Sequence, residues 1–282
     1  MPAWRAAAVL HPFPSSLDAA VTGLIAALAG APPATVVQLG GAMLLLQFSI
    51  GAANDWSDAR ADAAARPLKP IPAGLLRRRD AAALAVICAA GGLLLAAPAG
   101  PAVLAIALAG LLTGLSYDLG LKGTAWAWLT FAAGFVLLPL FAWLGGSGTT
   151  PAFLGWIVLL AIPAGAAVSL ANGLVDHETD ALSGRRGPAV RLGPRPAHLA
   201  LGIAHLLVAA GAVVSLAVES RAAATAGLVA LAAASVALGV GLQVVGWLLS
   251  GGQARPARLR GWHVQAVGLA VLAGGWFLGM TA

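Results

Sequence analysis

The chain has 282 residues, of which 60% are hydrophobic and only 9% are charged, and its formal net charge is +6. Soluble globular proteins carry about 25% charged residues and cannot bury so much apolar surface at this length, so the composition excludes a soluble fold. The expected solvent is a lipid bilayer, which a helix of ~20 mostly apolar residues spans, and the continuous apolar runs argue against the alternating strands of a β-barrel.

Nine apolar segments follow one another along the chain. Turn-forming sequences separate several of them, such as GAPPAT at 30–35, APAGP at 97–101 and GGSGTT at 145–150. The sequence therefore predicts an all-α, polytopic membrane protein with nine transmembrane helices. The predicted spans are 12–30, 36–53, 80–98, 101–118, 124–144, 152–175, 197–217, 223–249 and 262–281.

The basic residues alternate between the two sides of this predicted topology. The N-terminus and the even-numbered gaps between spans hold fifteen of the sixteen Lys and Arg residues, and the odd-numbered gaps hold only Arg221. The positive-inside rule then places the N-terminus and the even loops in the cytoplasm. If the protein is bacterial, the membrane is expected to be the inner or plasma membrane. The net charge thus belongs to loops that face lipid headgroups, and we expect no nucleic-acid partner.

Two predicted cytoplasmic regions are rich in Asp: loop one over residues 54–80 and loop two over residues 172–196. Both begin with the pattern N-x₃-D-x₃-D, at an offset of 118 residues: Asn54, Asp58 and Asp62, then Asn172, Asp176 and Asp180. A spacing of four places each set on one face of a helix, and we expect each set to extend its span by about two turns. The repeat suggests two related halves.

Clustered carboxylates beside lipid repel one another and require positive charge nearby. Carboxylate and amide oxygens suit a hard cation such as Mg²⁺, which also shares the oxygens of a substrate phosphate. Basic residues fall on the same predicted side of the membrane: Arg66, Lys69, Lys122, Arg185 and Arg186. Carboxylates, Mg²⁺ and basic side chains together bind a diphosphate and neutralise charge on its leaving oxygen. An intramembrane site of this kind predicts a prenyl diphosphate as ligand.

These segments resemble the UbiA superfamily of intramembrane prenyltransferases. NDWSDARADAAARPLKPIPAG (54–74) resembles the first Asp motif, DHETDALSGRR (176–186) the second, and SYDLGLKG (116–123) the Tyr-to-Lys segment of the family. The resemblance spans nearly the whole chain, although the last two helices match by topology only. It implies a single membrane domain over residues 1–282, with nine helices around a central cavity.

The resemblance also implies roles for individual residues. Two Mg²⁺ ions would bridge the Asp motifs and the diphosphate, with these ligands: Asn54, Asp58, Asp62, Asp176 and Asp180. Arg66 and Lys122 match residues that contact the diphosphate in the family. Asn172 is added by the internal repeat rather than by the family motif, and Arg185 and Arg186 match the basic residues that follow the second motif.

Several polar residues near these motifs have more than one interpretation. Lys69 is either a solvated loop charge or a phosphate contact. Tyr117 either orients the lysine of its own segment, lines the cavity, or is an interfacial aromatic. His177 and Glu178 form a polar loop face or supply a proton acceptor. Asp55 lies off the ligand face and is expected to have a supporting role.

The acceptor end of the site is less clearly marked. Family members that act on 4-hydroxybenzoate often have Arg-Pro near the start of the first helix, whereas this chain reads HPFPSSLD, so a cation for an aromatic carboxylate is not assured. Asp18 is ionisable at lipid depth and is therefore a functional candidate, facing the cavity or the acceptor. Trp126, Trp128 and Phe131 either shield an allyl cation with their π faces or belong to the interfacial belt and packing.

Together these features predict a Mg²⁺-dependent intramembrane prenyltransferase that moves a prenyl group from a prenyl diphosphate to an aromatic or other lipophilic acceptor. The alternative is an intramembrane terpene cyclase, which captures the cation within the substrate's own chain. An ion-coupled secondary transporter is less favoured, because transporter sites lie near the bilayer midplane and these acids end their spans.

Overall fold

The computed structural model describes residues 3–219 and 225–282, and within these residues it is 85% helical and has no strands. The all-α prediction is therefore confirmed. In chain order the α-helices are α1 (Pro12–Leu28), α2 (Pro33–Ala65), α3 (Arg78–Ala96), α4 (Pro101–Ser116), α5 (Ala127–Ser147), α6 (Gly155–Val175), α7 (His177–Leu182), α8 (Pro188–Leu192), α9 (Pro194–Glu219), α10 (Ala226–Ser250) and α11 (Arg255–Thr281). Short 3₁₀ helices cover Ala3–Leu10, Ala97–Ala99 and Ala152–Leu154, and a π-helical turn covers Tyr117–Leu121.

Eight helical segments of the described chain are long and apolar enough to cross a membrane. The remaining predicted span corresponds to α1, which is apolar but only 17 residues long. The protein is thus a polytopic membrane protein, while the count of nine spans stays a prediction. Arg221, the basic residue of the odd-numbered gaps, lies outside the described residues.

The closest pair of predicted spans is separated where the sequence suggested. The chain turns at Gly100, whose φ of 108° lies in a region that residues with a Cβ rarely adopt. Pro101 follows and begins α4, because the ring of proline fits the first turn of a helix. The APAGP sequence therefore ends one membrane helix and starts the next.

The chain divides into two compact units. The first comprises residues 1–122 and 137–149, and its core forms where α2 packs against α1, α3 and α4. Leu39, Met43 and Leu46 recur at helical spacing on α2 and are buried in this core. A Cβ at Gly92 of α3 would approach Leu46 to 2.8 Å, so a glycine is needed for this close contact between helices.

The second unit comprises residues 123–136 and 150–282. Its helices α10 and α11 pack along a line of glycines, so that a Cβ at Gly246 would lie 2.7 Å from the carbonyl oxygen of Gly261. A buried polar chain joins three helices in the same unit: His205 Nε2 lies 2.8 Å from Gln265 Oε1, and Gln265 Nε2 donates to Ser250 Oγ at 2.5 Å. His205 therefore has a packing role.

Candidate functional site

The first acidic set lies on the last three turns of α2. Ala-rich sequence carries this helix beyond the predicted span end at residue 53 as far as Ala65, because alanine is the strongest helix former. Arg66 precedes Pro67, which disfavours helical backbone, and the helix ends there. Asn54, Asp58 and Asp62 are all buried, with exposed fractions of 8%, 4% and 4%. The structure thus confirms the predicted helical extension for this set.

Lys122 lies directly against this buried face. Its Nζ donates to Asn54 Oδ1 at 2.6 Å and to Asp58 Oδ2 at 2.5 Å. The side chain of Lys122 keeps an exposed fraction of 18%, compared with 5% for Asp58. The ammonium group of Lys122 and the side-chain oxygens of Asn54 and Asp58 therefore form one cluster in the first unit. Asn54 and Asp58 precede Lys122 by 68 and 64 residues in the sequence.

The π-helical turn explains how Tyr117 and Lys122 reach the same side. Residues five apart in an α-helix point about 140° away from each other. Here the N–H of Lys122 bonds to the carbonyl of Tyr117 at 2.9 Å, which widens the turn by one residue. Lys122 Nζ consequently lies 5.9 Å from the centroid of the Tyr117 ring. This contact favours the interpretation in which Tyr117 orients the lysine.

Lys69 forms a second cationic contact with the same helix. Its Nζ lies 2.8 Å from both Asp55 Oδ1 and Asp62 Oδ2, so it is an ion-paired residue rather than a solvated loop charge. Burial lowers the pKa of Lys69, but the carboxylates of Asp55 and Asp62 outweigh burial and raise this pKa above its usual value. Arg66 Nη1 adds a longer contact of 3.5 Å to Asp62 Oδ1.

Asp55 forms several polar contacts in the first unit, while its expected supporting role stays a prediction. Its Oδ1 interacts with Lys69, with Asn54 Nδ2 at 3.3 Å and with His11 Nε2 at 3.0 Å. Sequence reasoning missed His11. This residue directly precedes α1 and has a left-handed φ of 47°. Its position before Pro12 was visible in the sequence, but its partner 44 residues away was not.

Asp118 is a further acid of the first unit, and sequence reasoning missed it. It is buried, with an exposed fraction of 9%, and its Oδ2 has no hydrogen-bond partner among residues 3–219 and 225–282. Its carbonyl oxygen accepts from Ser57 Oγ at 3.4 Å, which ties the π-helical turn to α2. The available signal was an acid at the end of an apolar span, directly after Tyr117.

The second acidic set departs from the prediction of one extended helix. Asn172 lies in α6, which ends at Val175, and Asp176 leaves helical geometry with φ −111° and ψ 17° before α7 begins. Aspartate favours helix ends, because its short polar side chain competes with the backbone for hydrogen bonds. Asp180 then lies on α7. The equal spacing of this set is therefore not the spacing of one continuous helical face.

Arginines partner the second set within the second unit. Arg255 Nε, at the start of α11, donates to Asp176 Oδ1 at 2.9 Å. Arg185 Nη1 lies 3.4 Å from Asp180 Oδ1. Arg186 is exposed, and its backbone N–H donates to the carbonyl of Gly123 at 2.9 Å. The predicted basic residues that follow the motif thus lie beside it in the sequence, and Arg185 is in contact with one of its acids.

Arg255 and a second arginine of α11 were not predicted as site residues. Arg258 Nη2 contacts Glu178 Oε2 at 2.5 Å, and its Nη1 donates to the carbonyl of Gln253 at 2.8 Å. Arg258 is buried, with an exposed fraction of 8%, whereas the side chain of Glu178 is 63% exposed. The signal in the sequence was a run of arginines in an even-numbered gap, which the family motifs do not include.

Among the residues that the structure describes, the side chain of Asp18 has one hydrogen-bond partner, which sequence reasoning also missed. Its Oδ2 accepts from Gln47 Nε2 of α2 at 2.7 Å. Among the aromatics considered for the allyl cation, Trp126 is 61% exposed, which fits an interfacial position. Trp128 and Phe131 are half-buried.

The first unit offers oxygen donors that fit a hard divalent cation. Among residues 3–219 and 225–282, no three His, Cys, Asp or Glu side chains are grouped closely enough to hold a metal ion. The amide oxygen of Asn54 and the carboxylate of Asp58 nevertheless converge on one positive charge, the ammonium of Lys122. Amide and carboxylate oxygens are ligands that Mg²⁺ accepts. The donor set therefore fits Mg²⁺ in chemistry, with Lys122 as its present counter-charge.

Comparison with known proteins gives one family and one fold. The sequence matches the model of the UbiA prenyltransferase family over residues 17–264. No curated protein matches it significantly. An apo UbiA homologue from Aeropyrum pernix K1 has a TM-score of 0.72 at 19% identity, covering 94% of this chain and 97% of that one. A structure concerned with digeranylgeranylglyceryl phosphate synthase has a TM-score of 0.68 at 14% identity, covering 100% and 99%.

A third similar structure contains ligands. It is a UbiA homologue from Archaeoglobus fulgidus bound to GPP and Mg²⁺, with a TM-score of 0.65 at 14% identity, covering 95% of this chain and 99% of that one. At these identities the similarity establishes a shared fold.

Proposed function

Because the chain belongs to the UbiA prenyltransferase family, we propose that it is a Mg²⁺-dependent intramembrane prenyltransferase. It transfers a prenyl group from a prenyl diphosphate to an aromatic or other lipophilic acceptor. The main observation that supports this proposal is the contact of Lys122 with Asn54 and Asp58. It brings a cation and two potential metal-ligand oxygens together at the end of a membrane helix. The Archaeoglobus fulgidus homologue bound to GPP and Mg²⁺ supports the choice of donor and metal.

The metal ligands in this proposal come from both acidic sets. They are Asn54, Asp58, Asp62, Asp176 and Asp180, and they serve two Mg²⁺ ions. Bound Mg²⁺ supplies Lewis-acid charge that neutralises the diphosphate oxygens as the leaving group departs. The carboxylates of the two sets have different surroundings. Those of the first set are buried on α2, and those of the second set are paired with arginines.

The basic residues bind the diphosphate and stabilise its departure. Lys122 and Lys69 each lie against two side-chain oxygens, so their ammonium groups are oriented before substrate arrives. Arg66 and Lys122 then donate to diphosphate oxygens, and such charge-assisted bonds strengthen as negative charge grows on the leaving oxygen. Arg185 and Arg186 are the corresponding diphosphate contacts of the second set, where Asn172 contributes a polar oxygen.

The reaction breaks the bond between C1 of the prenyl group and the diphosphate oxygen, and the acceptor forms a new bond to C1. Positive charge develops on the allyl group as the C1–O bond breaks. Trp128 and Phe131, which are half-buried beside the Lys122 segment in the sequence, are candidates to shield this charge. Exclusion of water is required, since water would capture the cation.

The location of the acids also distinguishes this proposal from transport. Asn54, Asp58 and Asp62 occupy the last turns of α2, and Asp176 directly follows the end of α6. Transporter sites lie near the bilayer midplane, usually where a helix is interrupted. We propose that these helix ends and their loops face the cytoplasm, as the distribution of Lys and Arg indicates.

The test is Mg²⁺-dependent release of diphosphate from geranyl diphosphate by protein in nanodiscs, with and without a phenolic acceptor. We expect Asp58→Ala and Asp176→Ala to abolish release while insertion and folding persist. Asp80→Ala is the matched control, because Asp80 lies in the first turn of α3, is 49% exposed and pairs with Arg79 at 3.6 Å rather than with the residues of the first acidic set. Near-normal turnover in either test variant would reject the proposal, and cyclic hydrocarbon formed without acceptor would favour the cyclase.

A further inference from the structure

Four arginines lie where the end of α2 meets the start of α3. They are Arg60, Arg77, Arg78 and Arg79, called the arginine cluster below, and all four are exposed. Within the described residues Arg79 pairs with Asp80 at 3.6 Å, and the other three form no ion pair. The neighbouring cations Arg66 and Lys69 are instead paired with acids of α2. The described acids therefore leave most of the charge of the arginine cluster unbalanced.

Arg78 fixes the arginine cluster against α2. Its guanidinium lies 4.6 Å from the centroid of the Trp56 ring, and its Nε donates to the carbonyl oxygen of Trp56 at 3.0 Å. Its two terminal nitrogens form no hydrogen bond within residues 3–219 and 225–282, so they are available to an anion. Arg60 follows Trp56 by four residues and therefore lies one turn further along the same face of α2. Both helices thus contribute guanidinium groups at this end of the pair.

Arg79 lies at the end of an exposed apolar stripe of α3. The stripe comprises Val86, Ala90 and Leu94, and the exposed fractions of Val86 and Leu94 are 69% and 73%. At ~100° per residue all three lie within about 60° of Arg79 around the helix axis. Val86 and Ala90 are about 10 and 16 Å from Arg79 along that axis, which is about one leaflet's half of the ~30 Å hydrocarbon core. Arg79 is thus level with the headgroups of lipids whose tails cover the stripe.

We propose that the arginine cluster binds the headgroup of one anionic phospholipid, whose acyl chain lies along the exposed stripe of α3. This inference does not depend on the proposed function. Guanidinium groups donate paired, charge-assisted hydrogen bonds to phosphate oxygens. A soluble anion would contact the arginines and leave the stripe uncovered, whereas a phospholipid contacts both. A zwitterionic phospholipid would bring a cationic group to a cluster that is already positive.

A prenyl diphosphate also combines a charged head with an apolar tail. Its head carries more charge than a single phosphate, and Mg²⁺ that accompanies a diphosphate needs oxygen ligands of the protein. Asp80, the acid in contact with the cluster within the described parts of the chain, is already paired with Arg79. The arginine cluster therefore favours a head with one phosphate.

Membrane topology is the competing explanation, since arginines beside a span also favour retention in the cytoplasm. That role depends on the number of basic residues near the span and not on their contacts in the folded protein. It predicts that any two exposed arginines of the same predicted side contribute equally to lipid preference. A binding site predicts that the arginines of the cluster contribute more.

The experiment measures binding of the first lipid molecule by native mass spectrometry of the protein in neutral detergent. Dioleoyl phosphatidylglycerol and dioleoyl phosphatidylcholine have the same tails and differ in net charge. We expect the wild type to bind phosphatidylglycerol at least ~10-fold more tightly, because each basic residue near an anionic headgroup contributes about 5-fold. The double variant Arg77→Gln/Arg79→Gln should reduce this preference to ~2-fold or less. Both side chains are exposed, so this variant should fold as the wild type does.

Arg191→Gln/Arg195→Gln is the matched control, since it removes the same charge from two exposed arginines of the second unit. Its preference should stay within ~2-fold of the wild type. A wild type without preference, a preference that persists in Arg77→Gln/Arg79→Gln, or an equal loss in both double variants overturns the proposal. Displacement of phosphatidylglycerol by equimolar geranyl diphosphate also overturns it, because the arginines would then take the diphosphate.

Discussion

Replacing Lys122 by Met tests whether its ammonium is the counter-charge of the first acidic set. Methionine keeps a long side chain but leaves Asn54 Oδ1 and Asp58 Oδ2 without their donor, now at 2.6 and 2.5 Å. Loss of one partner from a buried ion pair costs about 3–5 kcal/mol. We expect about 3 kcal/mol in the absence of Mg²⁺, the low end of that range, because Lys122 retains an exposed fraction of 18%.

Mg²⁺ should act on this variant more strongly than on the wild type. In the wild type, Mg²⁺ must displace the ammonium of Lys122 from the oxygens of Asn54 and Asp58. The variant has no ammonium to displace, so Mg²⁺ should bind ~10-fold more tightly, by about 1.4 kcal/mol. Ligand binding to the folded state then restores part of the lost stability. Diphosphate release should nevertheless fall at least ~100-fold, because a donor to the leaving oxygen has been removed.

The assay combines unfolding in detergent, followed by tryptophan fluorescence with EDTA or Mg²⁺, with calorimetric titration of Mg²⁺ and turnover of geranyl diphosphate. Arg79→Met is the control, since Arg79 is a basic residue of the same region with an exposed fraction of 74% and should change none of the three measurements. Unchanged stability of Lys122→Met in EDTA, or weaker Mg²⁺ binding than wild type, would refute the counter-charge role.

Three further predictions address other contacts. Because the pKa of Lys69 is raised in the folded state, its ion pairs should stabilise the protein at neutral pH and be lost as pH rises above about 10, so Lys69→Met should remove this alkaline loss from unfolding curves. Arg258→Gln should increase hydrogen exchange in residues 176–186 and Arg260→Gln should not, since only Arg258 contacts Glu178; equal exchange would contradict this. In a Cys88→Ala background, the variant Arg186→Cys should react with a membrane-impermeant maleimide only from the cytoplasmic side, because position 186 is exposed. Labelling from the outside would contradict the proposed orientation.

The first acidic set could be predicted from sequence because one local rule governs it. Spacing of four implies a shared helical face wherever the helix continues, and Ala-rich sequence carries α2 through Asn54, Asp58 and Asp62. The same rule was wrong for the second set, since it does not indicate where a helix stops. Asp176 was counted as part of a helical face, but it ends α6 and leads into α7.

The missed residues share a different cause. His11, Gln47, Arg255 and Arg258 each act on a partner at least 29 residues away, and local periodicity contains no information about such pairs. Charge type alone did not identify the ion pairs, since Arg255 and Arg258 were predicted to lie on the cytoplasmic side but were given no partner. Local patterns thus identified the acids, whereas the tertiary structure was needed to identify their counter-charges.

The counter-charges in turn suggest why metal and diphosphate should bind together. In the first unit, the carboxylates of Asp55, Asp58 and Asp62 are paired with Arg66, Lys69 and Lys122, so positive and negative charges are matched before any ligand binds. Mg²⁺ alone would add positive charge to this balanced cluster, and a diphosphate alone would add negative charge, each beside lipid where excess charge is costly. Arriving together, they offset one another and free the lysines for the diphosphate. Lys122→Met removes one of the matched cations, so the predicted gain in affinity for Mg²⁺ alone follows from the same balance.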